Sequence, residues 1–183
     1  MGTSKALLSF GAETMLQRVV RLLRAVVTPI VVVAASDQPL PPLHPDVIVT
    51  RDELEDRGPL EGLRAGLRAL PADIDAAYVT SCDVPLLVPG FVRRMLELIG
   101  DDDIAVMETD GFAHPLAAVY RASTLPHVED LLAHNRLRPL FLFDAVRTRR
   151  VRRDEMTADP DLLTLRNLNT REDYEQALRD SGF

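Results

Sequence analysis

Asp83 stands where an apolar run, Ala76-Ala77-Tyr78-Val79-Thr80, gives way to Ser81-Cys82-Asp83-Val84-Pro85. In open α/β sheets ligands bind in the crevice beyond the carboxyl ends of the strands. A carboxylate there is suited to hold magnesium against phosphate oxygens; an aspartate two residues before a proline is also an ordinary turn residue. Three other groups could take part in the same chemistry. Gly58-Pro59-Leu60-Glu61-Gly62 opens a helical period shortly after Asp52, which follows the strand-like Val47-Ile48-Val49-Thr50. Gly58 and Gly62 let a flat base or a ribose approach the backbone, and the free amides of a helix start favour an anion. The same pentapeptide also reads as a plain proline-started helix. Lys5, after Gly2-Thr3-Ser4, offers an ammonium on a flexible stem that can follow charge through a phosphoryl transfer, or is simply a solvated lysine near a terminus. Asn167 and Asn169 alternate, so in an extended segment their amides share one face and offer donors and acceptors to a polar heterocycle or a phosphate. Asparagines ahead of a helix also serve as caps.

The elements that must position these residues alternate between helical and strand periods, which predicts an α/β fold with a mostly parallel sheet. Thr14 caps a helix carrying Met15, Val19, Leu22, Leu23 and Val26 on one stripe. Ile30 to Ala35 is a continuous β-branched and small-residue run suited to a strand covered on both faces. Prolines 39, 41, 42 and 45 make the next stretch a loop. Leu60, Leu63, Leu67 and Leu70 line a second helix, and Pro89 starts a third that Gly100 closes. Ile104–Met107 and Leu116–Tyr120 are expected as an antiparallel pair around Asp110-Gly111. Helices follow at 124–134 and 139–143, then a basic strand at 147–153. Thr170 with Asp173 opens the last helix. Residues 1–183 read as a single domain, with no internal repeat and no linker.

Composition narrows the function classes. The net charge of -7 argues against nucleic acid or an anionic membrane as partner, since both ask for a basic face. The single cysteine, Cys82, allows no intrachain disulfide and no cysteine zinc site, which fits a reducing, cytoplasmic setting. No apolar run approaches the roughly 20 residues of a membrane helix.

Taken in order, Lys5-Ala6-Leu7-Leu8, Gly11, Asp52, Gly58-Pro59-Leu60-Glu61-Gly62, Cys82-Asp83-Val84-Pro85, His114-Pro115-Leu116 and Asn167-Leu168-Asn169-Thr170 resemble the molybdenum cofactor guanylyltransferases, the MobA-like nucleotidyltransferases, over essentially the whole chain. The resemblance implies a three-layer Rossmann-like fold and transfer of GMP from magnesium-bound GTP to molybdopterin carrying molybdenum, with release of pyrophosphate. It implies that Lys5 meets the triphosphate, that Asp52 and Gly58 belong to the GTP site, that Asp83 is the Mg2+ ligand, and that Asn167 and Asn169 lie on the molybdopterin side. A molybdoenzyme or its chaperone is a further partner that it suggests. A phosphate nucleophile needs no general base, so the lack of an evident Ser-His-Asp or Cys-His set is in keeping, and His114 is expected to be structural or substrate-positioning.

The sequence departs from the family pattern at its start. The family opens with a strand and a glycine-rich turn, L-A-G-G-x-S-x-R-M-G-x-D-K; this sequence begins at the Met-Gly of that signature, with Ser4 in place of the aspartate. The expectation is therefore a longer natural chain with its first strand upstream of Met1. Ser36 stands near a position where guanylyl-transferring relatives tend to carry asparagine. Two other readings stay open: a related transferase that uses CTP or a sugar phosphate, and a non-catalytic remnant that binds nucleotide or molybdopterin.

Overall fold

A computed structural model describes residues 4–52 and 57–183. Among these residues eight strands and six α-helices alternate along the chain. A two-residue hairpin, β1 (Ser9–Phe10) and β2 (Glu13–Thr14), leads into α1 (Met15–Arg24). Next come β3 (Val31–Ala34), β4 (Ile48–Arg51), α2 (Pro59–Arg68), β5 (Ala76–Thr80) and α3 (Pro89–Leu98). The chain continues through β6 (Ile104–Thr109), β7 (Phe112–Arg121), α4 (Leu125–Ala133), α5 (Leu140–Ala145), β8 (Thr148–Val151) and α6 (Arg171–Asp180). Among the described residues no helix is long and apolar enough to cross a membrane.

The larger sheet has the order β5-β7-β6-β8, and β3 pairs in parallel with β4 as a separate ladder. β5, β6 and β8 point the same way and β7 runs against them, so the larger sheet is mixed. The antiparallel member comes from the expected hairpin: Asp110 and Gly111 have φ of 51° and 78°, the paired left-handed backbone that suits a tight two-residue turn. Its register breaks between Val106 and Met107, so that Met107 faces His114 while Val106 faces Ala118. Pro115, Leu116 and Ala117 are thereby pushed out of the β6 ladder.

Helices cover both faces. On one, Leu60, Leu63 and Leu67 of α2 meet Val128, Leu131 and Leu132 of α4 over Ile104, Val106, Ala118 and Tyr120. On the other, Phe91 and Met95 of α3 pack against Ala105, Met107, Val119 and Val151. Among the described residues β3 and β5 each keep one edge without a strand partner. Helices join the two ladders there. A methyl group at Gly66 of α2 would stand 3.4 Å from Val33 Cγ2 of β3, so α2 lies on both ladders. On the opposite face α1 and Val92 of α3 share a core with Val32 of β3 and Tyr78 of β5.

The basic strand is β8, at the sheet edge, where charged side chains deter pairing with another chain. Arg149 pairs with Glu155 and Arg150 with Glu108, each at 2.6 Å. Those arginines are edge protection inside an acidic protein.

Thr14 was expected to cap α1 and does so in a reciprocal box: its Oγ1 accepts from Gln17 N at 3.3 Å, and Gln17 Oε1 accepts from Thr14 N at 2.9 Å. Thr14→Ala is expected to cost about 1 kcal/mol, read as a lower urea midpoint with an unchanged slope.

Candidate functional site

Lys5 lies in a short 3-10 turn, Lys5–Leu7, that crosses the carboxyl ends of β3 and β5. On the β3 side, Gln38 Nε2 donates to Ser4 Oγ at 3.1 Å. On the β5 side, Lys5 Nζ reaches Asp83 Oδ2 at 2.8 Å and Asn169 Oδ1 at 2.7 Å. Three residues drawn from the start, middle and end of the sequence thus meet at one point. Ser81 Oγ donates to the other carboxylate oxygen of Asp83, so both oxygens are held.

The loop that bears Asp83 is fixed from two directions. Arg18 of α1 donates from Nε to Pro85 O at 2.6 Å and lies 4.8 Å from the centroid of the Phe10 ring. Leu168 N donates to Asp83 O at 2.9 Å, which lays the asparagine segment against the Asp83 turn. Leu168 is buried while Asn167 and Asn169 on either side of it are exposed, so the two amides share the outer face, as the alternation predicted. Leu168 packs with Phe10, Met15 and Ala177, which ties the segment to α6 and the β1–β2 hairpin.

Asp52 lies apart from this group, at the carboxyl end of β4 with β3 between, and Gly58 leads into α2, whose Gly62 lies beside Asp52. Asp52 N donates to Ala34 O at 2.9 Å. Among the described residues its buried Oδ1 has no hydrogen-bond partner, and a methyl group at Gly62 would stand 3.7 Å from that atom. Burial pushes the Asp52 carboxyl up, repulsion from Glu61 adds to the shift, and Arg64 opposes it. Glu61 is only 1% exposed and pairs with Arg64 one turn along α2. Gly58 has φ of 67°, a conformation open to glycine and strained for other residues. It sits immediately before Pro59, the first residue of α2.

His114 is half-buried on β7, its Nε2 2.6 Å from Thr109 Oγ1, and burial holds its imidazole below the usual range. That partner makes it a fixed part of the hairpin. Burial pushes the Cys82 thiol up and the Asp83 charge adds to this, so Cys82 is not an activated nucleophile.

The chain belongs to the MobA-like NTP transferase family. Residues 1–150 match that domain family. A probable molybdenum cofactor guanylyltransferase of Carboxydothermus hydrogenoformans is 31% identical over 183 residues, covering 98% of this chain and 89% of that one. A probable molybdenum cofactor guanylyltransferase of Mycobacterium ulcerans is 34% identical, covering 98% and 87%. Among solved structures, the molybdopterin-guanine dinucleotide biosynthesis protein A of Archaeoglobus fulgidus superposes with a TM-score of 0.81 at 17% identity, covering 99% of this chain and 92% of that one. The 2-C-methyl-D-erythritol 4-phosphate cytidylyltransferase of Thermus thermophilus superposes with 0.72 at 16% identity, covering 98% and 94%. The MobA-like fold therefore serves transferases of more than one nucleotide.

Among the described residues no group of three or more His, Cys, Asp or Glu is placed to hold a metal ion. A single carboxylate still suits Mg2+, which binds through one or two carboxylates and completes its shell with substrate phosphates and water. Asp83 fits that role once Lys5 moves off Oδ2.

Sequence reasoning missed Ser81, Arg18 and the Glu61–Arg64 pair. A hydroxyl two residues before the aspartate was a usable signal for Ser81; nothing local marked Arg18, whose partner is 67 positions away.

Asp52 gives a signed stability test. A carboxyl whose folded pKa lies above its unfolded value costs stability wherever the folded form is ionised. Asp52→Asn is expected to leave the fold at pH 7.5 as stable as before or more stable by up to about 0.5 kcal/mol. The difference shrinks as pH falls through the raised pKa and vanishes below the ordinary value of 3.8. Urea midpoints of both proteins across that range check it.

Proposed function

We propose that this chain transfers the GMP moiety of magnesium-bound GTP to the terminal phosphate of molybdenum-loaded molybdopterin, forming the guanine dinucleotide cofactor and releasing pyrophosphate. The observation that carries this reading is the meeting of Lys5, Asp83 and Asn169 at the carboxyl edge of the sheet. The near full-length identity to proteins named molybdenum cofactor guanylyltransferase supports the choice of substrates.

The sheet edge divides the work. Asp52 and Gly58, beyond β4, seat the guanosine. Lys5 and Asp83 take the triphosphate, and Asn167 and Asn169 hold the acceptor. An acceptor phosphate oxygen bonds to the α-phosphorus of GTP as the bond from that phosphorus to the bridging oxygen of the β-phosphate breaks; pyrophosphate leaves with the electron pair. The attacking oxygen is already anionic at neutral pH, so no side chain has to take a proton from it. Lys5 leaves Asp83 for the phosphates, where its ammonium offsets the charge that builds toward the leaving group. Asp83 would hold Mg2+, which would supply neutralisation of phosphate charge. The rest is alignment, the task for which the loop and the asparagine segment are held together.

The test is pyrophosphate release from GTP with Mg2+ and molybdenum-loaded molybdopterin, run beside CTP. Turnover with GTP at least tenfold faster than with CTP is expected. Preference for CTP would reassign the base, and no release with any nucleotide would favour a binding protein without catalysis. Asp83→Asn is expected to lower kcat about 100-fold or more with a far smaller effect on the urea midpoint. Unchanged turnover in that variant would reduce Asp83 to a turn residue.

A further inference from the structure

Asp159 is a buried carboxylate, 2% exposed, in a segment to which the reaction above gives no part. It accepts three hydrogen bonds: from Leu163 N at 2.9 Å, Thr164 N at 3.0 Å and Thr164 Oγ1 at 2.6 Å. Thr164 is also 2% exposed, and its Oγ1 accepts from Val88 N at 3.0 Å. The hydroxyl therefore donates to a carboxylate and accepts from an amide, which fixes its direction at both ends.

Val88 closes the loop that Asp83 opens and stands immediately before α3. Thr164 thus fastens the C-terminal segment to the far end of the Asp83 loop, and Leu168 N fastens it to the near end at Asp83 O. The two fastenings lie one short stretch of chain apart. Asn167 and Asn169 flank the second, so their placement against Asp83 depends on both. Leu162 has φ of 51°, an outlier for a bulky residue, and the bonds of Asp159 to the next two amides hold the turn in that shape. A buried carboxyl group and a left-handed leucine are costly ways to build a surface loop. Such cost marks a segment whose exact path matters.

We propose that Asp159 and Thr164 are positioning residues that set the register of Asn167 and Asn169 against Asp83, and so govern binding of the phosphate-bearing acceptor while leaving the nucleotide side untouched. The inference rests on the assignment of those asparagines to the acceptor. Thr164→Val keeps the branched shape and removes both hydroxyl bonds; Thr164→Ser restores the hydroxyl. Calorimetric titration of each protein with molybdopterin, and separately with GTP and Mg2+, reads the two sides without turnover. Thr164→Val is expected to weaken molybdopterin about tenfold and to change GTP less than twofold, with Thr164→Ser within twofold of the parent for both. Equal weakening of both ligands, no weakening of molybdopterin, or failure of serine to restore it would overturn the proposal. Asp159→Asn, which keeps an acceptor oxygen for one of the two turn amides, is held to the same outcomes should the valine variant not fold. Asn169→Ala separates the two layers of inference. If it leaves molybdopterin affinity unchanged, the acceptor assignment fails and the positioning role with it; if it weakens molybdopterin and Thr164→Val does not, only the positioning role fails.

Discussion

The ion pair between Lys5 and Asp83 is the contact on which the arrangement of this edge depends. Asp83 has a side chain only 15% exposed, and a carboxylate so enclosed is costly to bury unless it is paired or hydrogen-bonded. Lys5 and Ser81 meet that need, the ammonium at 2.8 Å and the hydroxyl as a second donor. Because Lys5 also reaches Asn169, one ammonium joins the first turn of the chain to the segment before its last helix. The same ammonium has no place in the core: its side chain is 33% exposed. Its hold on the two partners is therefore polar and not part of the apolar packing.

A contact of that kind needs a firm frame on both sides, and the sheet alone does not supply one. β3 and β5 belong to separate ladders, so their relative placement is set by helices that lie on both. α2 spans them on one face through Gly66, Leu60, Leu63 and Leu67; α1 and α3 span them on the other through Val19, Val32, Val92 and Tyr78. Apolar packing is not directional, so the angular precision of the site has to come from polar ties. Arg18 to Pro85, Leu168 to Asp83 and Gln38 to Ser4 are such ties, one from each element that borders the edge.

What could be read from the sequence follows from this division. Elements with a full period were legible: the stripe of α1 with its Thr14 cap, the Pro59 and Pro89 helix starts, the β5 run and the Asp110-Gly111 turn all occupy the expected positions. β1 and β2, of two residues each, are too short to show a period and could not be seen. Asp83 was legible as a strand-end carboxylate and the asparagines as an alternating pair, because those signals are local. That Lys5 would touch both was not, since the partners lie 78 and 164 positions away. Asp159 carried no signal at all: in sequence it is one more acidic residue in a loop rich in them, and only its burial distinguishes it.

The carboxyl edge also explains why so few side chains need to be chemically special. A reaction between two phosphates has its nucleophile and its leaving group supplied by the substrates, and what remains for the protein is to bring like charges together. An acidic protein of net charge -7 has no broad basic face for that and has to place its cations individually. The arginines of β8 are committed to carboxylates at the opposite edge of the sheet, and Arg18 is committed to a carbonyl and an aromatic face. Lys5 is the cation whose partners at the site are themselves candidates for substrate contact. Its position between Asp83 and Asn169 places the cation of this meeting point between the strand-end carboxylate and the asparagine segment.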